Sequence, residues 1–273
     1  MLGAVQGLTE FLPISSSGHL VLFQHFMKLN DDMLAFDVIV HLATLTVVFV
    51  YFFKDIFLIV RDTCLFLIKF PFQKNADMLF RTHPYALPGC FSLVATVVTG
   101  LLAYIFKETL ESTFDHLPVV GICWLMTGAF LVMSRNFQHG DRNLFEMNHQ
   151  DAFLIGFIQA VAILPGISRS GATILMGMFL GLQREAAAKF SFLIAIPAIL
   201  GAAVLEGREA LPLLADHSGP VLLGFVAAAV SGFLCISLLM KLIRIEKFFC
   251  FGFYCLAIGI LTVTYTLIQF AIS

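Results

Sequence analysis

Apolar residues run along the chain in long blocks that short polar segments separate. Five of these blocks contain no Asp, Glu, Lys or Arg; they are residues 86–106, 117–134, 190–205, 218–240 and 248–273. A sixth block, residues 33–53, is equally apolar apart from Asp37. Because a bilayer core takes about 20 such residues as a helix, the pattern predicts six transmembrane helices.

Two further apolar stretches are interrupted near their centres. Residues 1–29 are broken by Pro13 and three consecutive serines, and residues 151–183 are broken by Pro165 and the polar turn 168–170. Each arm of the first stretch has only about 10–12 residues, too few to span a bilayer, which favours a re-entrant hairpin of two half-helices. Irregular backbone at membrane depth is stable only where protein buries it or where it lines a wet cavity.

The two interrupted stretches resemble each other. At a constant offset of 153, residues 3–22 and 156–175 are identical at seven of twenty positions, where chance would give roughly one or two. The matching pairs are Gly3/Gly156, Gln6/Gln159, Ile14/Ile167, Ser15/Ser168, Ser17/Ser170, Gly18/Gly171 and Leu22/Leu175. The sequence therefore predicts an all-α membrane domain, 1–273, with a first repeat of about 1–134 and a second of about 151–273.

The charges of the loops orient this arrangement. Loops 54–85 and 241–247 carry a basic excess and are expected in the cytoplasm, whereas the acidic loops 107–116 and 206–217 are expected outside. Six transmembrane helices satisfy this alternation, and the two re-entrant helical hairpins then enter from opposite faces. Such an inverted-topology repeat brings the two hairpin tips together near the midplane. Residues 56–72 are expected to lie along the membrane surface.

The composition supports a membrane protein. Hydrophobic residues make up 59% of the chain and charged residues 12%, against about 45–50% and 25% in soluble domains. The formal net charge of −2 argues against a nucleic-acid partner. The six cysteines have neither metal-binding nor redox spacing, so they are expected to be small buried side chains.

The hairpin tips carry the residues that are rarest in so apolar a chain, namely Glu10, His19 and Arg169. Ionisable groups inside a membrane are costly and usually functional. Serine turns that cap two half-helices, together with Arg169, predict an anion site of the kind that holds phosphate. Thr173, four residues after Arg169, adds a hydroxyl on the same helix face. The predicted substrate-binding residues are Ser15, Ser17, Ser168, Ser170 and Thr173.

The first tip also contains a candidate metal site and a candidate nucleophile. Gln6 and Glu10, four residues apart, share a helix face and offer hard oxygen ligands suited to Mg²⁺ or Ca²⁺. Ser16 and His19, three residues apart, are expected to be neighbours, as a nucleophile with its base or acid. Direct attack by water, with Glu10 or His19 as the base, is the alternative.

Long motifs at both tips, residues 6–19 and 165–173, resemble the undecaprenyl-diphosphate phosphatase family of bacteria, of the bacitracin-resistance type. Residues 36–44 and 190–197 resemble the same family, so the likeness covers nearly the whole chain. The segment 36–44 includes Asp37 and His41, for which the sequence shows no partner. Structural and functional roles for these two residues are equally open.

The resemblance implies removal of one phosphate from undecaprenyl diphosphate, giving the monophosphate for reuse in cell-wall synthesis, and bacitracin resistance. It also implies a place in the cytoplasmic membrane, a divalent cation and a site open to the outer side. By motif match, the catalytic positions of the family fall on Glu10, Ser16, His19 and Arg169. Gln6 takes the first position of a Glu/Gln-x-x-x-Glu element. Because Gln6 is an amide, metal binding would depend more on Glu10.

A polyprenyl-phosphate transporter or flippase is the alternative function. Inverted repeats of broken helices are typical of transporters, but the clustered serine, histidine, glutamate and arginine side chains favour chemistry. The expected partners are the polyprenyl diphosphate lipid, membrane lipid and a second copy of the chain in a homodimer. Phosphate release by purified protein in detergent would separate the two functions, since detergent solution has no two sides.

Overall fold

The computed structural model describes residues 1–28, 34–73, 75–114, 116–137, 140–216 and 218–272. Within these ranges the regular structure is α-helix with two short 3-10 helices, Ser134–Asn136 and Leu144–Glu146, and one isolated bridge joins Arg142 and Leu182 without forming a sheet. In chain order the helices are α1 (Leu2–Glu10), α2 (Ser16–Met27), α3 (Leu34–Tyr51), α4 (Phe53–Lys69), α5 (Ala76–Thr82), α6 (Ala86–Ile105), α7 (Lys107–Thr113), α8 (Leu117–Met133), α9 (His149–Val161), α10 (Arg169–Phe179), α11 (Arg184–Asp216), α12 (Ser218–Arg244) and α13 (Cys250–Ile272).

Five helices of the described chain are long and apolar enough to cross a bilayer, namely α6, α8, α11, α12 and α13. They coincide with the five uncharged blocks of the sequence. A sixth crossing is reached only when α3 and α4 are counted as one pair, and this pair is bent by 87°. The protein is therefore a multi-pass helical membrane protein. The bend turns α4 almost perpendicular to α3, and the position of residues 56–72 along the membrane surface stays a prediction.

The polar segments are more helical than the sequence predicts. The prediction of a loop over residues 206–217 is wrong, because α11 continues as a helix to Asp216. Charged residues end a membrane span but not a helix, since Glu, Arg, Ala and Leu all favour helix. Helix α7 likewise occupies much of the predicted loop 107–116. The side chains of Glu111 and of residues 206–216, and residues 115 and 217 entirely, lie outside the described part of the chain. Of the acidic groups predicted in these two loops, Glu108 is described, and it is exposed.

Each interrupted stretch forms two helices that pack against each other, α1 with α2 and α9 with α10. Each first helix also packs against a helix of the other half, α1 against α12 and α9 against α6. Glycines permit both contacts. A Cβ atom on Gly3 would lie 2.1 Å from the carbonyl oxygen of Gly224, and one on Gly156 would lie 2.6 Å from that of Ala95. The two repeated glycines therefore serve the same purpose, close helix packing.

Around these pairs, α3 packs against α11 and α12, and α8 packs against α13. The largest fully buried side chains include Trp124, Phe11 and Phe190. The expectation of buried cysteines is wrong for Cys64 and Cys250, which are exposed, and Cys90 is only half-buried. In a membrane bundle the exposed surface faces lipid, which accommodates a small thiol as readily as the protein interior does.

Candidate functional site

The turns that interrupt the two helix pairs touch each other. Gly166 donates its N–H to Ser15 Oγ at 3.1 Å, and Ser170 Oγ donates to the carbonyl of Leu12 at 3.4 Å. Gly166 has φ +96°, and a Cβ atom there would lie 2.3 Å from the carbonyl oxygen of Val120. Both the conformation and the space at this turn therefore require glycine.

Helix α8 holds both turns. Trp124 Nε1 donates to the carbonyl of Ile14 at 2.9 Å, and Thr127 Oγ1 donates to the carbonyl of Gly166 at 3.0 Å. The N–H of Ser168 in turn donates to Thr127 Oγ1 at 3.2 Å. Because these turns have few backbone bonds of their own, side chains of a neighbouring helix satisfy their polar groups.

Two serines cap the second helix of each pair in the same way. Ser15 Oγ accepts from the N–H of Gly18 at 3.2 Å, and Ser168 Oγ accepts from the N–H of Gly171 at 3.1 Å. Ser15 has φ 66°, a left-handed conformation that is uncommon outside glycine. The N-terminal ends of α2 and α10, which favour negative charge, thus begin at the place where the turns meet.

The buried carboxylate of Glu10 lies at the centre of the site. It accepts hydrogen bonds from Arg169 Nη2, from Ser16 Oγ at 2.5 Å and from Gln6 Nε2 at 2.9 Å. His41 Nε2 lies 3.7 Å from Glu10 Oε2. A carboxylate at the end of α1 is therefore paired with a cation at the start of α10, as the repeat predicts. Burying either charge without the other would cost several kcal/mol, on the order given for unpaired buried ions.

Two polar atoms at this place have no hydrogen-bond partner in the described chain, Arg169 Nη1 and Gln6 Oε1. Both are buried. An unsatisfied buried donor or acceptor costs about 1–3 kcal/mol, so such atoms are normally paired with protein, water or ligand. The site therefore keeps one cationic donor and one amide acceptor available to a ligand.

His19 does not pair with Ser16. Its Nδ1 lies 2.7 Å from the carbonyl oxygen of Ser15 and its Nε2 lies 2.7 Å from Tyr254 Oη, while the hydroxyl of Ser16 is bonded to Glu10. The spacing along α2 allows the predicted Ser16–His19 contact. A hydroxyl near a carboxylate, however, forms the stronger, charge-assisted bond.

The five predicted substrate-binding residues lie at or next to the turns. Ser15 and Ser168 are caps, each 3.3 Å from a second hydroxyl, Ser17 Oγ and Ser170 Oγ respectively. Thr173 Oγ1 donates to a carbonyl one turn earlier in α10 at 2.8 Å. All except Ser17 are buried. Their hydroxyls therefore hold the turns together, and contact with a substrate stays a prediction.

The predicted metal ligands are adjacent. Gln6 Oε1 is a hard, unpaired oxygen beside the carboxylate of Glu10. In the described part of the chain, no three His, Cys, Asp or Glu side chains are grouped closely enough to hold a metal. The donor set fits a cation that takes its remaining ligands from phosphate and water, as Mg²⁺ usually does. It does not fit an all-protein cage.

The structure gives partners to two residues whose roles the sequence leaves open. His41 lies beside Glu10 and its Nδ1 donates to the carbonyl of Asp37 at 2.7 Å. The carboxylate of Asp37 accepts two bonds from Gln24 Nε2, at 2.9 and 3.1 Å. Sequence reasoning misses Tyr254 altogether. The only available signal is that polar groups are rare in so apolar a chain.

Fold and site together define a multi-pass helical membrane protein in which two interrupted helix pairs build an internal polar site. The sequence model of the bacitracin resistance protein BacA matches residues 1–261. The chain is 40% identical over 268 residues to the undecaprenyl-diphosphatase of Methanosphaera stadtmanae, which covers 96% of this chain and 95% of that protein. Over 271 residues it is 38% identical to the undecaprenyl-diphosphatase of Alkaliphilus metalliredigens, covering 98% of both.

A third undecaprenyl-diphosphatase, from Desulforapulum autotrophicum, is 36% identical over 263 residues, which are 96% of this chain and 95% of that protein. The chain belongs to the bacitracin resistance protein BacA family. This confirms the resemblance of the two tip motifs. The relatives all carry the name of an enzyme, so membership of an enzyme family is confirmed as well.

Proposed function

We propose that the chain hydrolyses undecaprenyl diphosphate to undecaprenyl phosphate and inorganic phosphate. The observation that carries this proposal is the contact of Glu10 with both Ser16 and Arg169. It unites an acid, an alcohol and a cation in one partly buried place. Phosphoryl transfer needs mainly positioning and charge stabilisation, which these groups supply. The names of the relatives support the same substrate.

Arg169 binds the diphosphate in this proposal. Its Nη1 has no partner among the described residues, so a donor is available, and guanidinium suits phosphate because it presents paired N–H groups. The first amides of α2 and α10 add further donors for an anion. The serine and threonine side chains support binding by fixing the turns from which these helices start; they are Ser15, Ser17, Ser168, Ser170 and Thr173.

Ser16 is the proposed nucleophile, with Glu10 as the base. Ser16 Oγ attacks the terminal phosphorus and transfers its proton to Glu10 Oε2, which lies 2.5 Å away. A bond from Ser16 Oγ to phosphorus forms while the bond to the bridging oxygen breaks, and undecaprenyl phosphate leaves. Water then hydrolyses the phosphoserine, releasing phosphate. In this second step His19 Nε2 accepts a proton from the attacking water, and Glu10 returns its proton to Ser16 Oγ as the bond from Oγ to phosphorus breaks.

The assignment of the nucleophile has a direct test. A phosphoenzyme trapped by acid quench in the unmodified protein, and absent from Ser16→Ala, would support it. Near-full turnover of Ser16→Ala would contradict it and favour direct attack by water. Ser17→Ala is the matched control, because Ser17 is the next hydroxyl along α2 and is bonded to Ser15 rather than to Glu10.

Gln6 and Glu10 would hold a divalent cation, Mg²⁺ or Ca²⁺, together with the substrate. Such an ion neutralises charge on the phosphoryl oxygens. The unpaired Gln6 Oε1 supports this assignment. Chelator is expected to abolish phosphate release, and added Mg²⁺ to restore it. Independently of activity, Mg²⁺ is expected to raise the melting temperature of the protein in detergent, and Gln6→Ala to remove that increase.

We infer a membrane arrangement of six transmembrane helices plus two re-entrant helical hairpins in one inverted-topology repeat. In this proposal the chain is a single domain, 1–273, with repeats of about 1–134 and 151–273. The packing of equivalent helices in the two halves supports this arrangement. Helix α1 packs on α12 as α9 packs on α6, and α3 packs on α12 as α11 packs on α6. Accessibility of single cysteines placed in loops 54–85 and 241–247 to an impermeant reagent tests the orientation.

In the cell, this activity would recycle the lipid carrier of peptidoglycan synthesis and confer bacitracin resistance. We propose the cytoplasmic membrane of a bacterium as the location, with the site open to the outer side and a homodimer as the assembly. The basic residues of segment 241–247, at and just after the end of α12, support a cytoplasmic position for that end of the helix. Expression in a bacitracin-sensitive strain is expected to raise resistance, and the Arg169→Ala variant is not.

The decisive experiment is phosphate release from undecaprenyl diphosphate by the purified protein in detergent. Hydrolysis there supports an enzyme, because a detergent micelle offers no second compartment. Absence of release, combined with transfer of the lipid across liposome membranes, would support the transporter alternative instead. The broken helices at the centre of the fold are the observation that keeps this alternative open.

A further inference from the structure

The imidazole of His19 is enclosed by Tyr254 and Trp124. Its ring stacks on that of Tyr254, with centroids 5.8 Å apart and an interplanar angle of 8°. Trp124 packs edge-on at 5.1 Å and 76°. His19 is only 3% exposed. The ring therefore has little freedom to tilt or flip.

Both ring nitrogens of His19 have partners. Nδ1 lies 2.7 Å from the carbonyl oxygen of Ser15, and Nε2 lies 2.7 Å from the phenolic oxygen of Tyr254. A carbonyl can only accept, so Nδ1 carries the hydrogen, and Nε2 of the neutral ring accepts from the Tyr254 hydroxyl. Without that hydroxyl Nε2 would be a buried acceptor without a partner, which proteins avoid.

Two separate pairs therefore handle protons at this site. Ser16 is bonded to Glu10 at 2.5 Å, and His19 is bonded to Tyr254 on a helix far along the chain. The proton of Ser16 does not need His19. The contacts of His19 instead preset the tautomer and the direction of Nε2, in the way that second partners orient histidines in metal sites.

We propose that Tyr254 is a positioning residue, which holds His19 in the Nδ1–H tautomer and directs the lone pair of Nε2 to accept a proton from the water that hydrolyses the phosphoserine. This inference rests on the proposed function, because a preset His19 affects turnover only if a phosphate bond is cleaved. The tautomer itself does not depend on turnover. Activity and spectroscopy therefore test the two statements separately.

The test is Tyr254→Phe, which keeps the stacked ring and removes only the hydroxyl. The matched control is Tyr265→Phe on the same helix. Tyr265 packs beside His25 with ring centroids 6.3 Å apart, but its hydroxyl accepts from Gln269. Phosphate release from undecaprenyl diphosphate in detergent is measured alongside the ¹⁵N spectrum of histidine-labelled protein. The His19 signals are assigned by their loss in His19→Gln.

For Tyr254→Phe we expect kcat to fall roughly 10–100-fold, the range for removing a partner that orients a histidine, with KM unchanged. The ¹⁵N shifts of His19 are expected to move toward a mixed tautomer, and Tyr265→Phe to leave both readouts unaltered. The proposal is overturned if either kcat or the ¹⁵N shifts of His19 in Tyr254→Phe equal those of the unmodified protein. A tyrosine with a purely structural role would lower the activity and leave the His19 signals unchanged. If the unmodified protein released no phosphate, the proposed function would fail. The ¹⁵N signals of His19 would then still test the hydrogen bond between His19 and Tyr254.

Discussion

The two interrupted helix pairs share one scaffold but differ in chemistry. Their capping serines accept from glycine amides at 3.2 and 3.1 Å, and their repeated glycines both let a helix of the other half approach closely. The residues to which we assign catalytic roles are not repeated. At the offset of 153, the equivalents of Glu10, Ser16 and His19 in the second pair are Ile163, Arg169 and Ala172.

The difference follows from the contact between the pairs. Because the turns touch, a carboxylate kept in both copies would place two negative charges side by side, and like charges at that distance disfavour ionisation. An arginine in both copies would do the same with positive charge. An acid and an alcohol in one pair, facing a cation from the other, make a site that is compensated before substrate arrives. The backbone of the two pairs can therefore be repeated only if their charged side chains differ.

The largest effect is expected from removing the cation of the second pair. Arg169→Ala should lower kcat by about 10³–10⁵-fold, the range for an arginine that stabilises a phosphoryl transition state. Phosphate release in detergent measures it. Arg244→Ala is the control, since Arg244 is exposed and paired with Glu185, and it should retain full activity. An Arg169→Ala protein with more than a tenth of normal turnover would contradict the division of roles between the pairs.

A smaller loss is expected at the acid of the first pair. Glu10→Gln should reduce kcat by roughly 10²–10⁴-fold, as expected when a base is removed. It should also lower the melting temperature, because Arg169 would remain as a buried charge without its partner. The matched control is Ile163→Val, at the equivalent position of the second pair. Equal activity losses in the two variants would show that the pairs are not chemically different.

The shared scaffold is tested by its packing glycines. Gly3→Ala and Gly156→Ala should each destabilise the protein by about 1–3 kcal/mol, because the added Cβ atom overpacks a helix contact. Thermal unfolding in detergent provides the measurement. Gly100→Ala, where a Cβ atom would meet nothing within 4 Å, should be harmless. Destabilisation at only one of the two repeated glycines would show that the two pairs do not pack against the other half in the same way.

The smallest effect is expected at the caps. Ser15→Ala and Ser168→Ala should each cost about 1 kcal/mol of stability, the typical value for a lost N-cap. Ser15→Ala should be the more costly, because Ser15 Oγ also accepts from Gly166. The melting temperatures of both variants are compared with that of Ser237→Ala, which changes an exposed serine in the C-terminal half of α12. A Ser168→Ala variant less stable than Ser15→Ala would contradict the assigned contacts.

Much of this architecture is predictable because its signals are local. Apolar length predicts the spans, Pro13 and Pro165 predict the breaks, and the offset of 153 predicts that the tips meet. The meeting of Glu10 with Arg169, 159 residues apart, follows from that repeat. Hydropathy does not predict the C-terminal end of α11, because it detects where an apolar span ends and not where a helix ends.

The partners of individual side chains are not predictable in this way. Helical spacing places Ser16 and His19 on neighbouring positions, but it cannot reveal that Glu10 takes the hydroxyl of one and Tyr254 the nitrogen of the other. The contact between His19 and Tyr254 joins residues 235 apart. No pattern along the chain predicts this contact, and nothing in the tip motifs points to a residue of α13.

The amino-acid sequence by itself therefore determined the class of protein, the two broken pairs and the presence of ionisable and hydroxyl residues at their tips. These depend on chain length in a bilayer, on proline and serine in the backbone and on the rarity of charge in apolar surroundings, which are local properties. The tertiary structure alone decided which donor each reactive group meets. Hydrogen bonds form only over about 2.7–3.2 Å between aligned atoms, and the packing of separate helices sets those distances.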